Sequence, residues 1–218
     1  MDIRKYWDDK IVEWEDSMRE GDSVSLIERL ASYFRQPLLY RSERCLDLLA
    51  PYVTNREVLE LGSGSGYFAF SLFKKANPKS ITCIDFSQEA INRGQKMALE
   101  MYGEENAFKF MAADITKVDM PRSYITIGLG LLDYLTQAEI AELFLRLKCN
   151  YFLFTFPERV FSFLRLIHIF YMRTQKCPKH YYYSKSDIKE SCGRRFSVVK
   201  FINDPKLSFG CVVHNLPE

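Results

Sequence analysis

The run VLELGSGSGYF at residues 58–68 constrains the fold more than any other stretch. A nearly continuous apolar segment ends on three alternate glycines, Gly62, Gly64 and Gly66, and an apolar segment of helical length follows. A strand of that kind belongs in a sheet covered on both faces. The glycines let the chain turn sharply and bring backbone N–H groups close to a ligand.

The same rhythm continues along the chain. EVLEL is the first strand, followed after the glycines by a helix over 67–75 that Asn77-Pro78 ends. SITCID is the second strand, and Ser87 caps a helix that runs to about residue 102, where Gly103 stops it. AFKFMA and YITIGLG are the third and fourth strands, 136–147 is a helix, and NYFLFTF is a fifth strand ended by Pro157. Alternation of this kind predicts a parallel sheet with helices on both faces. An apolar helix over 158–173, a polar and aromatic loop (KCPKHYYYS) and a short helix from Lys185 come next. FSVVKFI and LSFGCVVHN then read as two strands joined by the turn NDPK, which makes the last strand antiparallel. The expected fold is α/β: a Rossmann-like sheet of seven strands, mostly parallel.

Residues 1–53 read as helical. Trp7, Ile11 and Trp14 recur at helical spacing, Gly21-Asp22-Ser23 is a break, and 25–34 and 37–49 are two helices, the second opened by Pro37. This segment is expected to form a helical N-terminal cap on a domain of residues 54–218, within which 158–184 is an insertion.

Composition excludes several classes. A net charge of +2 with no basic run interleaved with aromatics gives no footprint for nucleic acid. The six cysteines are scattered, without C-x-x-C or Cys/His spacing for zinc, so no metal site is expected and a reducing compartment is. Cys83, inside an apolar strand, should be a buried thiol. The N-terminal stretch lacks the pattern of a signal peptide, and the longest apolar stretch, 160–172, carries Arg165 and His168 and falls short of the ~20 residues of a membrane span. A cytoplasmic protein is expected.

The chemistry rests on three places. G-x-G-x-G is one residue shorter than the dinucleotide fingerprint, with Tyr67 where its last glycine would stand. Asp85 ends the second strand, where an acid accepts from both ribose hydroxyls of either a nicotinamide or an S-adenosylmethionine cofactor. Asp114 and Ile115 follow the third strand; the carboxylate can accept from an adenine amine, and the Ile115 N–H can reach a ring nitrogen.

With Glu60 ahead of the glycines, the ordered set E-L-G-S-G-S-G, I-D-F-S and A-A-D-I resembles the class I S-adenosylmethionine-dependent methyltransferases, over roughly residues 56–215. The resemblance implies S-adenosyl-L-methionine as cofactor. It places Glu60 and the loop of Gly62, Ser63, Gly64 and Gly66 beside the methionine portion, Asp85 on the ribose and Phe86 against the adenine face. Asp114 and Ile115 fall on the adenine, and Gly128 and Leu129 offer backbone oxygens to the methionine ammonium. Tyr124 stands where the family commonly begins its fourth strand with an acid. Arg41 either reaches the cofactor carboxylate or is a surface arginine, and Tyr6, Trp7 and Trp14 either line a lid or simply pack.

The stretch LLDYL follows the fourth strand, where this family commonly lines the acceptor pocket. Asp133 and Tyr134 are therefore candidates for a base or orienting group, although Asp133 could equally cap the helix opening at Thr136. His180 and His168 are further candidates. No N-P-P-Y or D-P-P-Y tetrapeptide and no acidic set of the metal-dependent catechol enzymes occurs, which favours a metal-free enzyme acting on a small molecule. A looser similarity to magnesium-protoporphyrin O-methyltransferases over about residues 130–195 implies O-methylation of a carboxylate on a flat, lipophilic acceptor. The apolar helix of the insertion suits such an acceptor or peripheral contact with a membrane. A non-catalytic S-adenosylmethionine-binding protein and a nicotinamide-dependent oxidoreductase are the alternatives.

Overall fold

The computed structural model describes residues 5–8, 10–11, 15, 26–104, 107–161, 163–174 and 176–217. Trp14 and the break expected at 21–23 lie outside the described residues.

Seven strands form one sheet: β1 (Glu57–Leu61), β2 (Ser80–Asp85), β3 (Phe108–Ala112), β4 (Ile125–Gly128), β5 (Tyr151–Pro157), β6 (Lys200–Ile202) and β7 (Gly210–His214). Their spatial order is β3-β2-β1-β4-β5-β7-β6. β7 runs antiparallel to both neighbours and the other pairings are parallel, as the terminal hairpin predicts. The order reverses between β1 and β4, so the carboxyl ends of these two strands open the crevice in which such sheets take their ligands.

Side-chain alternation divides the core between the two faces. Leu59, Leu61 and Phe152, Phe154 and Phe156 of β5 pack with Phe144 and Phe196 on one side. Val58, Ile81, Cys83, Ile125 and Leu153 pack on the other, against Cys45, Leu49 and Val53. Those last three lie one turn apart on α1 (Leu26–Val53), each fully buried, and fix that helix onto α2 (Tyr67–Ala76).

This packing corrects the expectation of two helices over 25–34 and 37–49. The chain is one continuous helix through Pro37, at the loss of one backbone hydrogen bond. The apolar stripe over residues 45–53 holds it against the sheet.

On the face opposite α1, α4 (Gln137–Arg146) is closed by a capping box between Thr136 and Glu139, so Asp133 does not cap it. Instead, Leu132–Tyr134 forms a turn of 3-10 helix just ahead. Ser87 caps α3 (Gln88–Tyr102) by accepting from the Ala90 N–H. In the insertion, α5 (Phe163–Thr174) begins five residues later than expected, because Glu158 is bridged to Tyr183 and cannot join a helix. α6 (Lys185–Gly193) opens on a second capping box, from Ser184 and Asp187. The sixth strand is trimmed to three residues, and the turn before β7 is a 3-10 turn over Pro205–Leu207. Among the described residues no helix is long and apolar enough to cross a membrane.

Candidate functional site

The glycine turn lies at the tip of β1, at the reversal of strand order. Gly62, Gly64 and Gly66 all have φ between +54° and +79°. Gly66 is required twice over, since a Cβ there would also stand 2.9 Å from the Phe110 ring. The Gly62 N–H donates to the Ile84 carbonyl at 2.8 Å, tying the turn to β2. The Ser63 N–H reaches the same carbonyl at 3.3 Å, and the two amides after it meet carboxylates of the chain itself: Gly64 N–H donates to Asp85 Oδ2 at 2.9 Å, and Ser65 N–H donates to Glu15 Oε1 at 2.8 Å.

Three carboxyls thus surround the loop. Asp85 is buried, and its Oδ1 accepts from the Ser87 N–H at 2.9 Å. Burial raises its pKa, against the pull of the Ser87, Gly64 and Phe86 amides. Glu60 lies behind the turn beside Cys83, whose thiol donates to Glu60 Oε2 at 3.9 Å. Burial first, then the Asp85 charge, pushes Glu60 up to about 8. Glu15 is only 6% exposed, and its Oε2 has no hydrogen-bond partner among the described residues. Burial raises its pKa too, while its bonds to Ser65 and the charge of Arg93 oppose the rise. Nothing local to residues 10–16 marks Glu15 as a site residue, and sequence reasoning missed it.

Just after β3, Asp114 Oδ1 accepts from both the Thr116 N–H, at 2.9 Å, and the Thr116 hydroxyl, at 2.7 Å. That local turn leaves Oδ2, which lies 3.4 Å from Lys117 Nζ. Ile115 is buried in the core, and Phe86 directly follows Asp85 at the end of β2. Cys83 is a buried free thiol, as expected.

Across the crevice, the tip of β4 meets α1. The Arg41 guanidinium lies over Gly130, 3.3 Å from where a Cβ would stand, and the Gly130 N–H donates to Thr155 Oγ1 at 2.8 Å. Gly128, at the strand end, is packed under the Phe154 ring. Asp133 is close enough to Arg41 for its pKa to be lowered by it, yet burial dominates and leaves the carboxyl at about 6. Asp133 Oδ1, Arg41 Nε and His180 Nε2 are buried and have no hydrogen-bond partner among the described residues. Tyr134 packs edge-on against Trp7 at 5.1 Å, and burial raises its pKa. The loop after α5 reaches this place through the Tyr181 N–H, which donates to the Asp133 carbonyl at 2.7 Å. His180 keeps different company: its ring is 5.7 Å from that of His168, whose Nδ1 bonds the Tyr182 hydroxyl at 2.7 Å. Burial lowers the pKa of both histidines, His168 to about 4. Arg41, Asp133, Tyr134 and Trp7 therefore converge, with the His168–Tyr182–His180 group on the adjoining loop.

A glycine turn at the reversal of strand order, with an acid at the tip of β2, is the layout of a Rossmann-like nucleoside site. Residues 53–128, from the end of α1 to the tip of β4, match the family described as a methyltransferase domain. The fold as a whole is similar to magnesium protoporphyrin IX methyltransferase from Synechocystis PCC 6803, solved with bound SAH. The match covers 97% of this chain and 96% of that one, at 15% identity and a TM-score of 0.74. The S-adenosylmethionine-dependent methyltransferase SibL in its apo form matches over 97% of this chain and 72% of its own, at 17% identity and a TM-score of 0.66. Human N-acetylserotonin methyltransferase in complex with SAM matches over 92% and 64%, at 15% identity and a TM-score of 0.60. No curated protein sequence matches the chain. The chain has the fold of the class I S-adenosylmethionine-dependent methyltransferases.

Proposed function

We propose that the protein is an S-adenosylmethionine-dependent methyltransferase that moves a methyl group to the oxygen of a small, lipophilic acceptor by in-line displacement. The charge around the glycine loop carries the choice of cofactor. The Gly64 and Ser65 amides already bond Asp85 and Glu15, and Glu60 stands behind them. A dinucleotide would bring its pyrophosphate to amides that are taken and to the Asp85 and Glu15 carboxylates, which repel it. A cofactor with sulfonium and ammonium groups brings the complementary sign, and the unpartnered Glu15 Oε2 offers it an acceptor. When bound, S-adenosylmethionine supplies a methyl group on a positively charged sulfur.

The residues divide the remaining work. Glu60 and the loop of Gly62, Ser63, Gly64 and Gly66 border the methionine portion. Asp85 holds the ribose through the lone pairs left beside its two amide bonds. Phe86 covers the adenine, with Asp114 Oδ2 and the Ile115 N–H at its edge. The Gly128 carbonyl meets the ammonium, and Arg41 the carboxylate.

Asp133 faces the acceptor. Its carboxylate would take the proton that a hydroxyl acceptor gives up, a contribution of about 10²–10⁴-fold, while the bound cofactor would supply the methyl group and its sulfur would keep the electron pair of the broken carbon–sulfur bond. Tyr134 and the neutral His180 orient the acceptor. Alignment of the reacting atoms contributes up to ~7–11 kcal/mol, and a carboxylate acceptor needs only that. The likeness to magnesium protoporphyrin IX methyltransferase supports a flat, hydrophobic acceptor.

The reading is tested by thermal shift and calorimetry with SAH, S-adenosylmethionine and NADH. Stabilisation by the first two is expected, and stabilisation by NADH alone would overturn the assignment. An acceptor screen read by mass spectrometry for the gain of a methyl group then identifies the substrate.

A further inference from the structure

Helix α5 buries one side and leaves the other bare. Met172 is 8% exposed, whereas Leu166 and Phe170 are 48% and 60% exposed. Leu166, Phe170 and Arg173 follow at i, i+4 and i+7, so they form a single stripe along the helix. Just ahead of the helix, Phe161 is 93% exposed, with Val160 beside it.

The charge around this stripe is one-sided. Residues 158–184 contain Arg159, Arg165, Arg173, Lys176 and Lys179 against a single acid, Glu158, in a chain whose whole balance is +2. Glu158 is already engaged by Lys185 at 3.3 Å. Arg159 bonds Asp187 at 2.7 Å, and Arg165 lies over the Tyr182 ring. Arg173, Lys176 and Lys179 are exposed and have no acidic partner among the described residues.

We propose that this face rests on an anionic lipid surface, with Phe161, Leu166 and Phe170 among the acyl chains and Arg173, Lys176 and Lys179 at the level of the phosphates. Aromatic and aliphatic anchors on the outer stripe of a short helix, flanked by cations, are what an in-plane interfacial helix requires. A second copy of the chain fits less well. A symmetric contact through this stripe would set the same cations against one another, and the single acid of residues 158–184, Glu158, is already engaged by Lys185.

The inference is independent of the proposed activity, but the two meet in space. The loop that follows α5 is the one whose Tyr181 bonds the Asp133 backbone. A lipophilic acceptor leaving the bilayer beneath α5 would therefore arrive beside the crevice.

The test uses the full chain with vesicles of phosphatidylcholine, alone or mixed with phosphatidylserine, in co-sedimentation. Each basic residue near an anionic leaflet raises partitioning about fivefold. Binding is therefore expected to the mixed vesicles, falling about a hundredfold in Arg173→Gln/Lys176→Gln/Lys179→Gln and weakening with added salt. Phe161→Ser/Phe170→Ser should lower it at least about tenfold. All these residues are exposed, so thermal melts of the variants should match the wild type. Three results would overturn the proposal. They are wild-type protein that stays in the supernatant with both vesicle types, a double-serine variant that binds like the wild type, and a concentration-dependent dimer in sedimentation velocity that Phe161→Ser/Phe170→Ser dissolves.

Discussion

Glu60→Gln offers the sharpest test of the charge around the glycine loop. Glu60 titrates near 8 in the folded chain against an ordinary value of 4.5, with burial as the main cause and the Asp85 charge second. The folded state therefore keeps a proton that the unfolded chain has released. The stability associated with that proton is fully present below pH 4.5 and is lost as pH rises towards 8, at about 1.4 kcal/mol per pH unit. The loss is about 3 kcal/mol at pH 7, and on the order of 5 kcal/mol above pH 8. Glutamine has the shape of the protonated acid and does not titrate. Its advantage over the wild type should thus grow from about nothing at pH 4.5 to roughly 6–12 °C in Tm at pH 7 for a domain of this size. Comparing the two proteins at each pH cancels the titrations they share. Differential scanning calorimetry between pH 5 and 8 reads the difference directly, and a difference that stays flat with pH would refute a protonated Glu60. Saturating S-adenosylmethionine adds a second arm. Its positive charges favour the ionised carboxyl, so the wild-type pH dependence should flatten. Close to one proton should be released on binding at pH 7, seen as a binding enthalpy that depends on the ionisation heat of the buffer.

Other perturbations separate the parts of the site. Asp133→Asn should lower kcat by about 10²–10⁴ while leaving cofactor affinity unchanged. With a protic acceptor, the wild-type rate should rise with pH through about 6 and then level off, because only the ionised carboxyl accepts the proton; a pH profile identical in the variant would remove Asp133 from the chemistry. Glu15→Gln keeps an acceptor for the Ser65 N–H but loses the charge, so S-adenosylmethionine should bind about tenfold more weakly, a difference of ~1.4 kcal/mol. Unchanged affinity by calorimetry would mean that the N-terminal segment does not border the cofactor. Gly94→Ala adds a Cβ that overlaps the Phe110 ring and stands 2.9 Å from the Ser65 carbonyl, so a net loss of about 1–2 kcal/mol is expected despite the better helix propensity. A higher Tm in that variant would show that α3 does not press on the glycine loop.

What could be read from the sequence was local or periodic, and what could not was carried by contacts between distant segments. The strand–glycine–helix unit, the acid at the tip of β2, the Ser87 cap and the antiparallel ending each declare themselves within about ten residues, and all stand in the structure. Pro37 misled because a local helix stop competes with a buried stripe at residues 45, 49 and 53, and the stripe prevails. The apolar run of the insertion showed which residues are greasy but not which of them would find a partner. Leu166 and Phe170 stay exposed. Asp114 is a subtler case, since the letters that suit an adenine also encode a turn closed by Thr116, and the carboxylate serves that turn first. The same competition explains the glycine loop. Its shape is legible because glycine alone tolerates the backbone it needs. Its charge is not, because the carboxylate on Ser65 arrives from fifty positions upstream. A glycine turn with open amides is a receptor for anions. Once Asp85 and Glu15 have taken those amides, the same turn presents negative charge to the crevice, and in the function proposed above the ligand that suits it changes sign from a phosphate to a sulfonium.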